Sequence, residues 1–162
     1  MGTERRNMVF SWSKITERLF TGGGIENIRD VATLVNEGVT HVIDARADKD
    51  DASLLLRVHP TLIYLWNPTE DDGEHKPVEW FDNTLQFGIR ALSKAGNTVY
   101  CHCHAGVNRG PSLAYTIMRA QGWCEVQAKL QIHRKRPETL NGIRYANDAE
   151  IALRNLGWTA HS

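Results

Sequence analysis

The chain has 162 residues, enough for one domain with a real core and short for two. Apolar residues make up 41% and charged residues 23%, an ordinary soluble balance. Lys plus Arg and Asp plus Glu both count 19, so zero net charge excludes any global electrostatic drive toward nucleic acid or an anionic membrane.

From the start, Met1 to Met8 is polar and basic with no apolar run behind it, so neither signal peptide nor anchor is expected. Ile15 to Thr21 reads as a turn into a short strand, stopped by Gly22-Gly23-Gly24. Ile28, Val31, Leu34 and Val35 recur at helical spacing, with Gly38 as the cap. Thr40–Ala45 and Thr61–Trp66 are β-rich runs, the second bounded by Pro60 and Pro68. After Pro77, the residues Val78, Phe81, Leu85, Ile89 and Leu92 make a helical stripe ending near Gly96. Trp80, Phe81, Leu85 and Phe87 should be partly core, and Trp66 is expected there too or as a wall beside the following loop. Thr98–Cys101 is a strand, and Gly110-Pro111-Ser112 opens a helix that stops at Gly122. Further helices are expected around Glu125–Lys135 and Ile143–Leu156.

No run approaches the roughly 20 apolar residues that span a bilayer. Alternating strands and helices predict one α/β domain over 1–162, with a core of about 11–157. The sheet should be mixed, of about four or five strands, with helices on its flanks. Three cysteines, 101, 103 and 124, are no disulfide framework and suit a reducing cytoplasm.

The chemistry concentrates in Val99 to Ser112, VYCHCHAGVNRGPS. A strand runs into a loop and the loop into a helix, which turns backbone amides and a positive helix end on one point. Gly106 and Gly110 permit the tight turns. Cys103 and Arg109 flank five residues, His104, Ala105, Gly106, Val107 and Asn108, a cradle sized for one tetrahedral oxyanion. Arg109 can hold two of its oxygens with its planar fork. The amides, the helix end and Arg109 all favour the Cys103 thiolate, a good nucleophile toward phosphorus.

The run His102-Cys103-(five residues)-Arg109 resembles the signature of the protein tyrosine phosphatases, and HCHAGVNRGPS looks most like their dual-specificity branch. ITERLFTGG, EGVTHVIDAR and Arg136-Pro137 with a final helix also resemble family segments, so the likeness covers about residues 11 to 157. It implies that Cys103 attacks phosphorus, that Arg109 and the amides of His104 to Arg109 bind the phosphoryl group, and that His102 supports the loop. It implies phosphomonoester hydrolysis through a phosphocysteine, with no metal and no organic cofactor. An upstream aspartate should protonate the leaving oxygen, then activate water. Glu70-Asp71-Asp72-Gly73 lies where the family places it. Counting back from Cys103 favours Asp71, whereas matching the Asp-Asp-Gly run favours Asp72, and the reading leans to Asp71. The family usually has Ser or Thr after the arginine to help the thiolate leave; Gly110 stands there, so slow phosphocysteine hydrolysis is expected.

A phosphorylated protein, on tyrosine or on serine and threonine, is the leading substrate class, with no nucleic acid and no membrane as partner. The same chemistry on a phosphoinositide, phosphoglucan or RNA 5′-phosphate is the alternative. So is a pseudophosphatase that only binds phosphate. A rhodanese or arsenate reductase is disfavoured by His102 and the upstream aspartates. Cys101-His102-Cys103-His104 is a poor zinc site, because strand alternation sends its members to opposite faces. Lys129, Arg134, Lys135 and Arg136 read as a solvated basic helix end or, less favoured, a steering patch. A disulfide from Cys103 to Cys101 or Cys124 is open, and nothing fixes the oligomeric state.

Overall fold

The computed structural model describes residues 9–139 and 142–158. Five strands form one sheet: β1 Trp12–Thr16, β2 Leu19–Gly22, β3 His41–Asp44, β4 Ile63–Trp66 and β5 Val99–His102, in the spatial order β1-β2-β5-β3-β4. β1 pairs antiparallel with β2, and every other pairing is parallel. Six helices are present among the described residues: α1 Ile28–Asn36, α2 Ala52–Val58, α3 Val78–Leu92, α4 Arg109–Ala120, α5 Glu125–Lys135 and α6 Ala146–Asn155. The mixed five-stranded α/β domain matches the sequence expectation.

Two elements were not legible as expected. The Ile15–Thr21 segment is two strands of a hairpin, with an irregular register between Lys14 and Thr16. β1 is an edge strand, and Ile15 is its one fully buried side chain, so it lacks an apolar alternation. α2 has seven residues, too few for a helical period to show. The last helix also begins at Ala146 rather than Ile143.

Strand alternation divides the core into two layers. Leu19, Ile43, Val99 and Cys101 face one layer, which α3, α4 and α6 complete with Phe81, Leu113, Ile117 and Ala149. Phe20, Val42 and Tyr100 face the other, which α1 and α2 cover with Val31, Leu34 and Leu55. Each fully buried Leu, Ile, Val or Phe contributes about 1.5–3 kcal/mol relative to exposure. The same alternation puts His102 on the face of Tyr100, whose ring it stacks at 5.3 Å and 19°. His102 therefore points toward the start of α2, while the chain continues to Cys103.

Candidate active site

Three loops leave the C-terminal ends of the adjacent parallel strands β3, β4 and β5 and converge, the usual place for a site in such a sheet. The loop after β5 carries Cys103, 2% exposed. Its Sγ accepts a hydrogen bond from the Gly110 amide at 3.2 Å, in the first turn of α4. The sulfur thus sits at the positive end of that helix. The amides of His104 to Asn108 donate to no backbone carbonyl among the described residues.

Gly106 closes this loop at φ 72°, and a Cβ there would lie 2.4 Å from the Gly22 carbonyl carbon. The loop packs on the end of β2 so closely that only glycine fits. Arg109 is 8% exposed, and its Nη1 donates to Thr69 O at 2.9 Å and Ala45 O at 3.4 Å. Those two carbonyls, one from each neighbouring loop, hold one edge of the guanidinium. Nε is buried without a partner, leaving a donor for an anion in the cradle. His104 and Ala105 are exposed at the mouth, and Val107 is half-buried.

The loop after β4 carries both aspartates and turns them in different directions. Asp71 accepts from Asn108 Nδ2 at 3.0 Å and from Tyr145 OH at 2.8 Å, so it faces the Cys103 loop. Asp72 pairs with Lys76 Nζ at 2.7 Å and accepts from the Glu74 amide at 3.0 Å. The Lys76 ammonium, then that amide, holds the Asp72 carboxyl below the usual carboxylate range. The structure therefore brings Asp71, Asn108, Cys103 and Arg109 together and leaves Asp72 in an ion pair on the loop's own side.

Behind the cradle lies a charged network that the sequence reading missed. His102 Nε2 sits 2.7 Å from Asp51 Oδ2, and Nδ1 lies 3.3 Å from the Cys103 carbonyl. Arg46 bridges Asp51 at 2.5 Å, Asp44 at 3.4 Å and Glu26 at 2.8 Å. Burial, with the Asp51 carboxylate beside it, pushes the Asp44 carboxyl up. Asp44, Asp51 and His102 are spaced as three metal ligands could be. The Arg46 guanidinium already supplies the cation there. For Asp44 and Arg46 the available signal is a pair of charged residues ending the apolar, β-rich run VIDAR; Asp51 lies outside that run.

Arg136 was also misplaced. Grouped in sequence with Lys129, Arg134 and Lys135 as a solvated basic cluster, it is 1% exposed. Its Nε donates to Gly106 O at 2.7 Å and Nη2 to Ala105 O at 3.3 Å, while Ser11 Oγ at 2.8 Å and Ser13 Oγ at 3.0 Å take the rest. It props the outer wall of the Cys103 loop. Cys101 and Cys124 are free, and burial pushes the Cys101 thiol up.

Residues 23–147 match the family described as dual specificity phosphatase, catalytic domain. The chain is 30% identical over 108 residues to a probable rhodanese domain-containing dual specificity protein phosphatase of Dictyostelium discoideum, covering 65% of this chain and 21% of that protein. It is 24% identical over 125 residues to the tyrosine-protein phosphatase yvh1 of Schizosaccharomyces pombe, covering 76% of this chain and 36% of the relative. This chain thus spans only a fifth to about a third of these relatives. Among solved structures, PTPMT1 in complex with PI(5)P superposes with a TM-score of 0.73 at 15% identity, over 90% of this chain and 99% of that one, a likeness of fold.

Proposed function

The chain belongs to the dual specificity phosphatases, and from that premise we propose that it removes phosphate from phosphorylated proteins through a phosphocysteine on Cys103. The observation that carries the reading is a buried Cys103 sulfur held at the start of α4, in a loop whose Asn108 binds the Asp71 carboxylate. In the first step Cys103 Sγ attacks phosphorus, the bond to the leaving oxygen breaks, and Asp71 gives that oxygen its proton. In the second, Asp71 takes a proton from water, the water oxygen attacks phosphorus, and the P–S electron pair returns to Cys103. Arg109 Nε and the loop amides hold the equatorial oxygens through both steps. The Asp72–Lys76 ion pair supports assigning the acid to Asp71 and not to its neighbour.

The test is hydrolysis of p-nitrophenyl phosphate at about pH 5 to 8, where acid–base groups of this kind titrate. Cys103→Ser should abolish turnover, vanadate should block it, and Asp71→Asn should cost about 100-fold. Turnover surviving in Cys103→Ser rejects the mechanism. A protein substrate should outpace PI(5)P in kcat/KM. The reverse order would establish a phosphoinositide, the reading that likeness to PTPMT1 favours. A cytoplasmic setting is part of the proposal, supported by three free thiols; localisation of tagged protein outside a reducing compartment would remove it.

A further inference from the structure

We propose that Tyr145, which lies outside both the phosphate loop and the acid loop, is a positioning residue that aims the Asp71 carboxyl at the leaving group, with Asn108 as its counterpart. The inference rests on Asp71 being the acid of the reading above.

Tyr145 closes the segment before α6 and is 2% exposed. Its ring meets Trp80 edge-on, with centroids 6.0 Å apart and planes at 85°, and Lys76 Nζ lies 5.1 Å from its centroid. The hydroxyl is thus delivered from a fixed ring. It touches two groups of the acid loop: the Gly73 amide at 3.1 Å and Asp71 Oδ1 at 2.8 Å. An amide N–H can only donate and a carboxylate can only accept, so the phenol proton must point at Asp71. Burial, followed by the Asp71 contact, pushes the phenol up to about 12, so that proton is retained at neutral pH.

On the other carboxylate oxygen, Asn108 Nδ2 donates at 3.0 Å. The carboxylate also fixes the amide orientation, since the opposite flip would set two acceptors face to face. Each oxygen of Asp71 is therefore held by one close donor, one from the phosphate loop and one from the segment before α6. Each keeps a second lone pair on which the transferred proton can sit. Such a clamp removes rotamer freedom before substrate arrives, which is how positioning lowers a barrier. Arg144 also approaches Asp71 Oδ1, at 3.8 Å, but its side chain is 42% exposed and solvent screens it.

The experiment compares kcat/KM for two aryl phosphates in wild type, Tyr145→Phe and Asp71→Asn. kcat/KM reports phosphocysteine formation even where its hydrolysis limits kcat. Dinitrophenolate leaves without a proton, whereas phenolate needs one. Tyr145→Phe keeps the ring on Trp80 and removes only the hydroxyl. It should lose about tenfold on phenyl phosphate and under about twofold on dinitrophenyl phosphate, with no further loss when combined with Asp71→Asn. Equal losses on both substrates, or none, beside a steep leaving-group response in Asp71→Asn, overturn the role of Tyr145 alone. A flat response in Asp71→Asn overturns the acid assignment, and this inference with it.

Discussion

Two buried side chains carry the phosphate loop from behind, and neither touches the reacting sulfur. Arg136 gives its donors to Gly106, Ala105, Ser11 and Ser13, so removing it orphans the buried Gly106 carbonyl and takes a partner from the other three. Arg136→Ala should destabilise the protein by about 2–4 kcal/mol in denaturant unfolding and weaken vanadate inhibition. Arg136→Lys should recover little, because one ammonium cannot serve four acceptors in a plane. Asp51 is the second such residue: one oxygen serves His102 and the other Arg46. Asp51→Asn keeps the shape but turns one acceptor into a donor, so one bond is lost and about 2–4 kcal/mol with it. An unchanged midpoint in either unfolding curve would show that the network carries no such weight.

Packing of whole elements explains why a glycine follows Arg109. The first turn of α4 lies against the ends of β2 and β5. A Cβ on Gly110 would meet Thr21 Oγ1 at 2.9 Å, Cys101 O at 3.1 Å and His102 Cα at 3.3 Å. Thr21 cannot move freely, because its hydroxyl donates to Cys101 O at 2.7 Å within the core. Gly110→Ser should therefore cost about 1–3 kcal/mol from overpacking, and Thr21→Ala in the same chain should restore part of it. Rapid-quench kinetics should show a burst of phenol in wild type, the mark of slow phosphocysteine hydrolysis, with the burst diminished in the double variant. A wild type without a burst would remove the kinetic argument. The motif was legible in sequence because its chemistry is local: a thiol, five residues and an arginine on one loop. Thr21, Asp51 and Tyr145 were not, since each meets the site across the sheet or from the far end of the chain. Strand and helix spacing recovered the mixed α/β sheet for the same reason, while β1 and α2, lacking a buried periodic face, stayed hidden.

At the scale of the molecule, α6 joins the two halves of the site. Near its start, Tyr145 holds Asp71, and Asp148 holds His75 at 2.9 Å and the Lys76 amide at 2.8 Å. One turn on, Glu150 binds Arg119 of α4 at 2.7 Å and 2.9 Å and accepts the Tyr115 hydroxyl. The helix that carries Arg109 is thereby fixed to the helix that carries the clamp on Asp71. Burial works against the Glu150 charge, but the Arg119 guanidinium and the Tyr115 hydroxyl outweigh it and hold the carboxyl below its usual range. A folded-state value below the unfolded one means that the bound form is the ionised one. Its stabilisation is complete above the unfolded value near 4.5 and disappears as pH falls through the folded value. Glu150→Gln should then lower stability by about 1–3 kcal/mol at neutral pH, a charge-assisted pair being lost. Below the folded value the two proteins should converge, because wild type has by then lost the same charge. Denaturant unfolding of both proteins across the acid range measures this. Parallel curves, with a gap that persists in acid, would assign the loss to packing, and the pair would then contribute shape to the α4–α6 junction and no charge.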